Sequence, residues 1–421
     1  MALKNLWQLH NLKESPYFQQ DLQGTGRYPI DLFVGRDEEA QRLLHVIGGA
    51  ASSRQTVEGL PGFGKTTLTQ FVKARAAAAG YLSYPDPVSA AGADTPDTLL
   101  ARLLSYVYDA FASQVGHRLL KEPVVDEARR LVLDTRVRGV KVAASVAGFG
   151  FDRDVTERTE RASFRSALLT IPPLLRDLSA AAREHGFTGI IVHLNDLENL
   201  VTEPDRARAG MVMRDLRDIF LLEGYHFMLV GTPEAVRSIV APHAQLRSIF
   251  GVSRPLEPLS EDAFERLLTR RYEHLRLGKA EAQPPVVNDA ARELYRIFRG
   301  DLRGTLRALD TGAHELIGLT DPPGSPVRTP ELMAVLAPML AAEAAATLSD
   351  TLLEYLYALR QLDRPFTQKD LIGLWHLSQA AVSQNLRELQ RLGYVQEQRR
   401  EGRQVTYALT GPSRIFLGVT V

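Results

Sequence analysis

Between Leu32 and about Leu259 the chain alternates short apolar runs with longer stretches in which apolar residues recur every three or four positions. Thr188 to Leu194 is almost continuously apolar and His226 to Val230 repeats the pattern, as expected of central parallel strands buried on both faces. Gln55 to Glu58 predicts a shorter strand ahead of a glycine-rich turn. Helices are predicted over Glu38 to Ile47, from Lys65 up to Gly80, and from Thr95-Pro96 through Val107 and Phe111. Gly80 suits the left-handed position past a helix end, and Thr95-Pro96 reads as an N-cap followed by a first-turn proline. Strands and helices in this order predict a doubly wound α/β domain with a parallel sheet.

Between Arg138 and Asp154, Val140, Val142, Ala144 and Val146 alternate with Lys141, Ala143 and Ser145 ahead of Gly148 and Gly150, which predicts a β-hairpin. After Leu259 the chain turns helical. Ser260 to Arg276, Asn288 to Phe298 and Leu302 to Leu319 form a small helical unit, and Asp321-Pro-Pro-Gly-Ser-Pro326 reads as a linker. The last stretch has the order helix, helix, helix and two short strands, the order of a winged helix. The predicted organisation is a lead-in over 1–33, an α/β domain over 34–259 with an insertion near 85–185, a helical unit over 260–345 and a winged helix-turn-helix over 346–421.

Composition changes this picture little. The 421 residues are 45% hydrophobic and 24% charged, which excludes long disorder and fibrous repeats. Lys plus Arg and Asp plus Glu are 50 each, so no global basic field exists and any DNA contact is local. With no cysteine, disulfides, thiolate metal sites and cysteine nucleophiles are excluded. The N-terminus does not read as a secretory signal. Leu332 to Leu348, interrupted by Pro338 and carrying Glu343, reads as a buried or amphipathic helix and not as a membrane span. The expectation is a cytoplasmic protein with no membrane partner.

The strongest chemical signal is Gly59-Leu60-Pro61-Gly62-Phe63-Gly64-Lys65-Thr66, which matches the P-loop spacing in full between a predicted strand and helix. Its glycines allow a tight loop whose N–H groups face phosphates, and the helix N-terminus adds partial positive charge. Lys65 is expected on the β- and γ-phosphates, and Thr66, with Thr67 beside it, on Mg²⁺ and the phosphates. ATP and Mg²⁺ are the predicted cofactors. A second element ends the apolar run Ile190-Ile-Val-His-Leu with Asn195-Asp196-Leu197-Glu198, where acids can organise metal and water.

With these motifs the chain resembles AAA+ ATPases of the archaeal and eukaryotic origin-recognition initiators. The resemblance implies an ATPase with a helical lid. It maps Asn195 onto the magnesium-organising Asp, Asp196 onto the Glu that orients attacking water, and Glu198 onto the trailing Asp. A one-residue slip instead puts Asp196 on the metal and Glu198 near the water. A neutral amide balances Mg²⁺ less well than a carboxylate, so the first register implies slow hydrolysis. The resemblance further places Gly35 and Arg36, within Val34-Gly-Arg-Asp-Glu-Glu39, near the adenine, and makes Thr232 the sensor 1 residue ending its strand. It makes Arg303, within Arg299-Gly-Asp-Leu-Arg303, the sensor 2 arginine. Arg247 is the arginine-finger candidate toward a neighbouring subunit, with Arg254 its rival, and ATP-linked homo-oligomerisation is implied.

Phe366 to Trp375 reads as the first helix of a helix-turn-helix and Ser378 to Leu392 as the recognition helix. Ala381, Val382, Leu386 and Leu389 fall on one face, while Gln379, Ser383, Gln384, Arg387 and Arg391 fall mostly on the other. Those types read base edges and phosphates. Arg399, Arg400 and Arg403 give the following hairpin a cationic tip, the wing. This segment resembles the winged-helix domains of small bacterial transcription regulators. The expected function is an ATP-binding switch that controls DNA binding. The alternative is a nucleotide-sensing scaffold of a regulatory or phage-defence system that recruits a protein effector through the winged helix.

Overall fold

The structure, a computed structural model, describes residues 5–20, 22, 27–92, 94–115, 121–146, 153–200, 202–251, 254–362, 364–401 and 404–419, without the side chains of 135–146, 153–168, 198 and 399–401. The chain divides into two compact units, Asp21–Leu60 with Gly64–Glu257, and Met1–Gln20 with Pro61–Phe63 and Pro258–Val421.

The first unit is built on parallel strands β1 (Ser53–Glu58), β2 (Tyr81–Leu82), β3 (Val88–Ser89), β4 (Gly189–Asn195) and β5 (Tyr225–Gly231). They lie in the order β1-β5-β4-β2, with β3 also paired to β4. β5 is buried along its whole length and β4 as far as Leu194, in keeping with runs that are apolar but for His193 and His226. Helices α1 (Asp37–Gly48), α2 (Lys65–Ala78), α3 (Pro96–Gln114), α4 (Pro123–Val146), α5 (Arg153–Glu184), α6 (Glu203–Asp215), α7 (Arg217–Phe220), α8 (Pro233–Val240) and α9 (Ala244–Arg247) join the strands. This is the expected α/β class. α3 starts at Thr95, whose hydroxyl accepts from the Thr98 N–H, and it buries Leu103, Val107 and Phe111 in the core shared with β4 and β5. Gly80 takes φ of 88°, the left-handed geometry its position required.

One expectation is overturned. Arg138 to Val146 continues α4, and Arg153 and Asp154 begin α5, so no hairpin forms over those residues; residues 147–152 lie outside the described part. Extending a helix already running from Pro123 costs far less than starting a new element, and Lys141, Ala143 and Ala144 all favour helix. The valine alternation was too short to override this. α3 and α5 pack on each other and on β4, so this part of the chain belongs to the core of its unit.

The second unit begins with α10 (Glu261–His274), α11 (Asn288–Ile297), α12 (Leu302–Leu316) and α13 (Thr329–Thr347). The N-terminal segment folds against these helices: the Lys13 N–H donates to the Leu275 carbonyl at 2.8 Å, and buried Arg271 donates to the Phe18 carbonyl at 2.7 Å. α14 (Asp350–Ala358), α15 (Gln368–Trp375), α16 (Gln379–Arg391), the antiparallel pair β6 (Val395–Glu401) and β7 (Gln404–Leu409), and α17 (Gly411–Leu417) complete the unit. Their core gathers Leu356, Phe366, Trp375, Val382, Leu386 and Tyr407. Thr367 and Ser378 cap α15 and α16 through their hydroxyls. Among the described residues no helix is long and apolar enough to cross a membrane.

Candidate nucleotide site and nucleic-acid interface

The loop after β1 has the backbone the glycine spacing demanded. Gly62 and Gly64 adopt φ of 78° and 80°, which a side chain resists, and Gly64 leads directly into α2. Lys65, buried at 6% exposure, turns its ammonium back on the loop and donates to the carbonyls of Gly59 at 3.0 Å and Leu60 at 3.3 Å. A cation held on loop carbonyls beside a helix N-terminus is suited to exchange those contacts for phosphate oxygens. Thr66 and Thr67 follow in the first turn, both half-buried. Pro61–Phe63 group with the second unit, where the Leu302 N–H donates to the Gly62 carbonyl at 3.2 Å.

The sheet brings further candidates to the same edge. Glu58 lies opposite Gly231, and Leu194 opposite Leu229, so the phosphate loop, Thr232 and Asn195-Asp196 all leave the carboxyl ends of neighbouring strands. Two strand spacings make about 10 Å from first to last, the span of a polyphosphate with its metal. Ligands of open α/β sheets bind at this edge.

Asn195 has its Oδ1 buried without a hydrogen-bond partner, while its backbone carbonyl accepts from the Ala90 N–H at 3.2 Å. An orphaned acceptor here fits a hydrated Mg²⁺ or a phosphate-bound water. Asp196 adopts φ of 66°, a left-handed geometry that Asp tolerates better than most residues, and opens a short 3-10 turn over Leu197–Asn199. Glu198 lies in that turn, and its side chain is outside the described part. The Thr232 hydroxyl accepts from the Ala235 N–H at 3.2 Å, so it caps α8 and keeps its own proton to donate elsewhere.

Other candidates are placed differently. Arg36 is buried, donating to Glu39 Oε1 at 3.0 Å and to the Glu257 carbonyl, so its first role is to tie α1 to the end of the domain; Gly35 beside it has φ of 77°. Arg247 and Arg254 are both exposed, and Arg247 donates to the Ala241 carbonyl. Arg303 is exposed in the first turn of α12, whose N-cap Asp301 accepts from the Gly304 N–H at 3.0 Å. Burial raises the Asp301 carboxyl above its usual range, against the opposing effect of that N–H and the nearby arginines.

On α16, Gln379, Gln384, Arg387 and Arg391 are exposed and Ser383 is half-buried, opposite the buried Val382, Leu386 and Leu389. Arg391 is engaged by Glu388 through two hydrogen bonds of 2.5 and 2.8 Å. Arg387 donates to the Ser383 carbonyl at 3.0 Å. Arg399 and Arg400 belong to β6, and Arg403 lies outside the described residues. Sequence reasoning passed over Lys73 and His193. The fully buried His193 has no hydrogen-bond partner on either ring nitrogen, and a lone polar residue inside an apolar strand was the available signal.

Residues 349–411 match the family model of a winged helix DNA-binding domain. The chain is similar over 96% of its length to a structure of the ORC2 protein of Aeropyrum pernix in ADPNP–ADP complexes, at 14% identity, 97% coverage of that chain and a TM-score of 0.44. The ADP form of the same protein gives 14% identity, 96% coverage of each chain and a TM-score of 0.46. A structure of Drosophila ORC bound to DNA is similar over 100% of this chain and 93% of its own, at 13% identity and a TM-score of 0.43. No curated protein sequence matches.

Proposed function

We propose that the chain binds MgATP on the loop from Gly59 to Thr67 and that nucleotide state sets how the C-terminal winged helix engages duplex DNA. The observation that carries this is the loop itself, with left-handed Gly62 and Gly64 and the Lys65 ammonium folded onto loop carbonyls at a helix N-terminus. Bound MgATP would supply an electrophilic phosphorus, the metal partly neutralising the negative charge of the phosphate oxygens. Lys65 neutralises phosphate charge, Thr66 offers a hydroxyl on the metal side, and the Thr232 hydroxyl is free to donate toward the terminal phosphate or its water. Asn195, Asp196 and Glu198 share the metal and water duties in one of the two registers, and Arg303 is the lid arginine. With a neutral Asn195 the site works as a slow switch more than a motor. Arg247 is the residue offered to a second copy of the chain.

At the winged helix, Gln379, Ser383, Gln384 and Arg387 present base-reading and phosphate-binding groups from one face of α16, and the family match over 349–411 supports DNA as the partner. The Glu388 hold on Arg391 is what favours the second reading, a protein effector in place of DNA.

The test is a pair of titrations. Wild type is expected to bind MgATP, and Lys65→Ala to bind it at least about tenfold more weakly, or 1.4 kcal/mol. Duplex affinity in wild type is expected to change on adding MgATP and to become indifferent to it in Lys65→Ala. Equal MgATP affinity in the two proteins removes the phosphate-site assignment; no duplex binding in any state leaves the effector reading.

A further inference from the structure

The Phe298 ring is in close contact with two glycines drawn from different parts of the second unit. Phe298, 5% exposed, caps the end of α11. One is Gly304 in α12, where an added Cβ would stand 2.6 Å from Phe298 Cδ1 and 2.7 Å from Cε1. The second is Gly411, the first residue of α17, where a Cβ would collide with the same ring, 2.6 Å from Cε1 and closer to Cδ1 and Cγ. Only hydrogen at both positions admits the ring, because interiors are packed to crystal density.

The two glycines belong to elements with different work. α12 carries Arg303, and at its N-terminus the Leu302 N–H holds the Gly62 carbonyl at the tip of the phosphate loop. α17 closes the winged helix: Leu417 shares its core, and the Ser413 hydroxyl donates at 2.8 Å to the Tyr394 carbonyl, just ahead of β6. α17 also packs against α11, α12 and α13. From the loop tip to the root of the wing every step is a hydrogen bond, a helix or the Phe298 ring, all inside one compact unit. A ring with this clearance cannot accommodate a shift of one neighbouring helix without moving the other, since packed cores rearrange between discrete states and do not deform smoothly.

We propose that Phe298 is the positioning residue that passes nucleotide state from α12 to the winged helix, by locking Gly304 and Gly411 to one ring. This rests on the switch reading above and adds its route.

The experiment uses the full chain and three measurements: MgATP affinity, duplex affinity without nucleotide, and the ratio of duplex affinities with and without MgATP. A wild-type ratio on the order of 5–150-fold, the usual range of coupling between sites, is expected to fall below about twofold in Phe298→Ala while the two separate affinities stay near wild type. A residue that merely supports the fold would lower those affinities together. Gly411→Ala, which pushes on the ring without removing it, is expected to reduce the ratio as well. Should Phe298→Ala fail to fold by circular dichroism, Phe298→Leu, which keeps bulk but not ring shape, decides by the same ratio. A wild-type ratio retained in the folded Phe298 variants overturns the route and leaves the switch standing. A wild type that binds both ligands with a ratio of one overturns the switch, and the route with it.

Discussion

On the proposed function, the amide of Asn195 stands where a carboxylate would alter the charge at the metal. It ends a buried strand at the carboxyl edge shared with the phosphate loop, its Oδ1 is buried with no partner, and its side chain carries no charge. Phosphoryl transfer depends on positioning and on charge at the metal, so wild type is expected to hydrolyse ATP slowly. Asn195→Asp is expected to raise single-turnover hydrolysis on the order of 10–100-fold, the usual effect of a residue that tunes a metal site, with little change in nucleotide affinity. In the slipped register Asp196 already serves the metal and Glu198 the water. Fast wild-type turnover, abolished in Glu198→Gln and indifferent to Asn195→Asp, would place the acids in that register and end the slow-switch reading.

The recognition helix shows how neighbours on one element set its chemistry. Arg387 and Arg391 are one turn apart on the exposed face of α16, but Glu388 grips Arg391 with two hydrogen bonds, holding its own carboxyl below the usual range and Arg391 above it. Such an exposed pair adds little to stability while withdrawing a cation from phosphate. Glu388→Gln is therefore expected to tighten duplex binding a few-fold and to steepen its log–log salt dependence by about 0.9, the value of one added phosphate contact, leaving MgATP affinity alone. Fluorescence anisotropy across a salt series measures this; an unchanged slope would mean that α16 does not face the DNA backbone. Elements of this kind were legible in the sequence because their signals are local. Thr95 caps α3 as read, and the left-handed turns at Gly62 and Gly64 were visible from the glycine spacing alone. Two-residue β2 and β3 carry too few positions to show a period, and the valine alternation in α4 misled because helix continuation outweighed it. Least legible were contacts between distant positions: Asn11 reaching the Glu281 carbonyl, Arg271 holding Phe18, and Phe298 meeting Gly411. Nothing in the glycines' local sequence announces the ring they admit.

For the molecule as a whole, equal numbers of acidic and basic residues leave no net charge near pH 7, and several buried groups tie stability to pH on either side of it. Burial pushes His226 down to about 4, aided by Arg54, so below pH 6.5 the unfolded chain takes up a proton that the folded one refuses and stability falls toward pH 4. Burial raises the Tyr106 and Tyr225 hydroxyls, so above pH 10 the unfolded chain ionises first and stability is lost again. Between these limits stands Lys73, 2% exposed, bonded to the Pro85 carbonyl at 2.9 Å and lowered to about 7 by burial against the opposing pull of Asp86. From about pH 7 to 10.5 the unfolded chain binds the Lys73 proton and the folded chain does not, so stability rises with pH through that window. Below it both states are charged and the penalty is constant. At one proton, the gain from pH 7 to pH 9 is on the order of 2 kcal/mol. Lys73→Met should abolish most of that rise by stabilising the protein at pH 7, since Gln70 Nε2 still donates to the Pro85 carbonyl at 2.7 Å. Urea unfolding at the two pH values reads the difference directly. If wild type and Lys73→Met gain equally between pH 7 and 9, Lys73 stays charged in the fold and the rise belongs to another group.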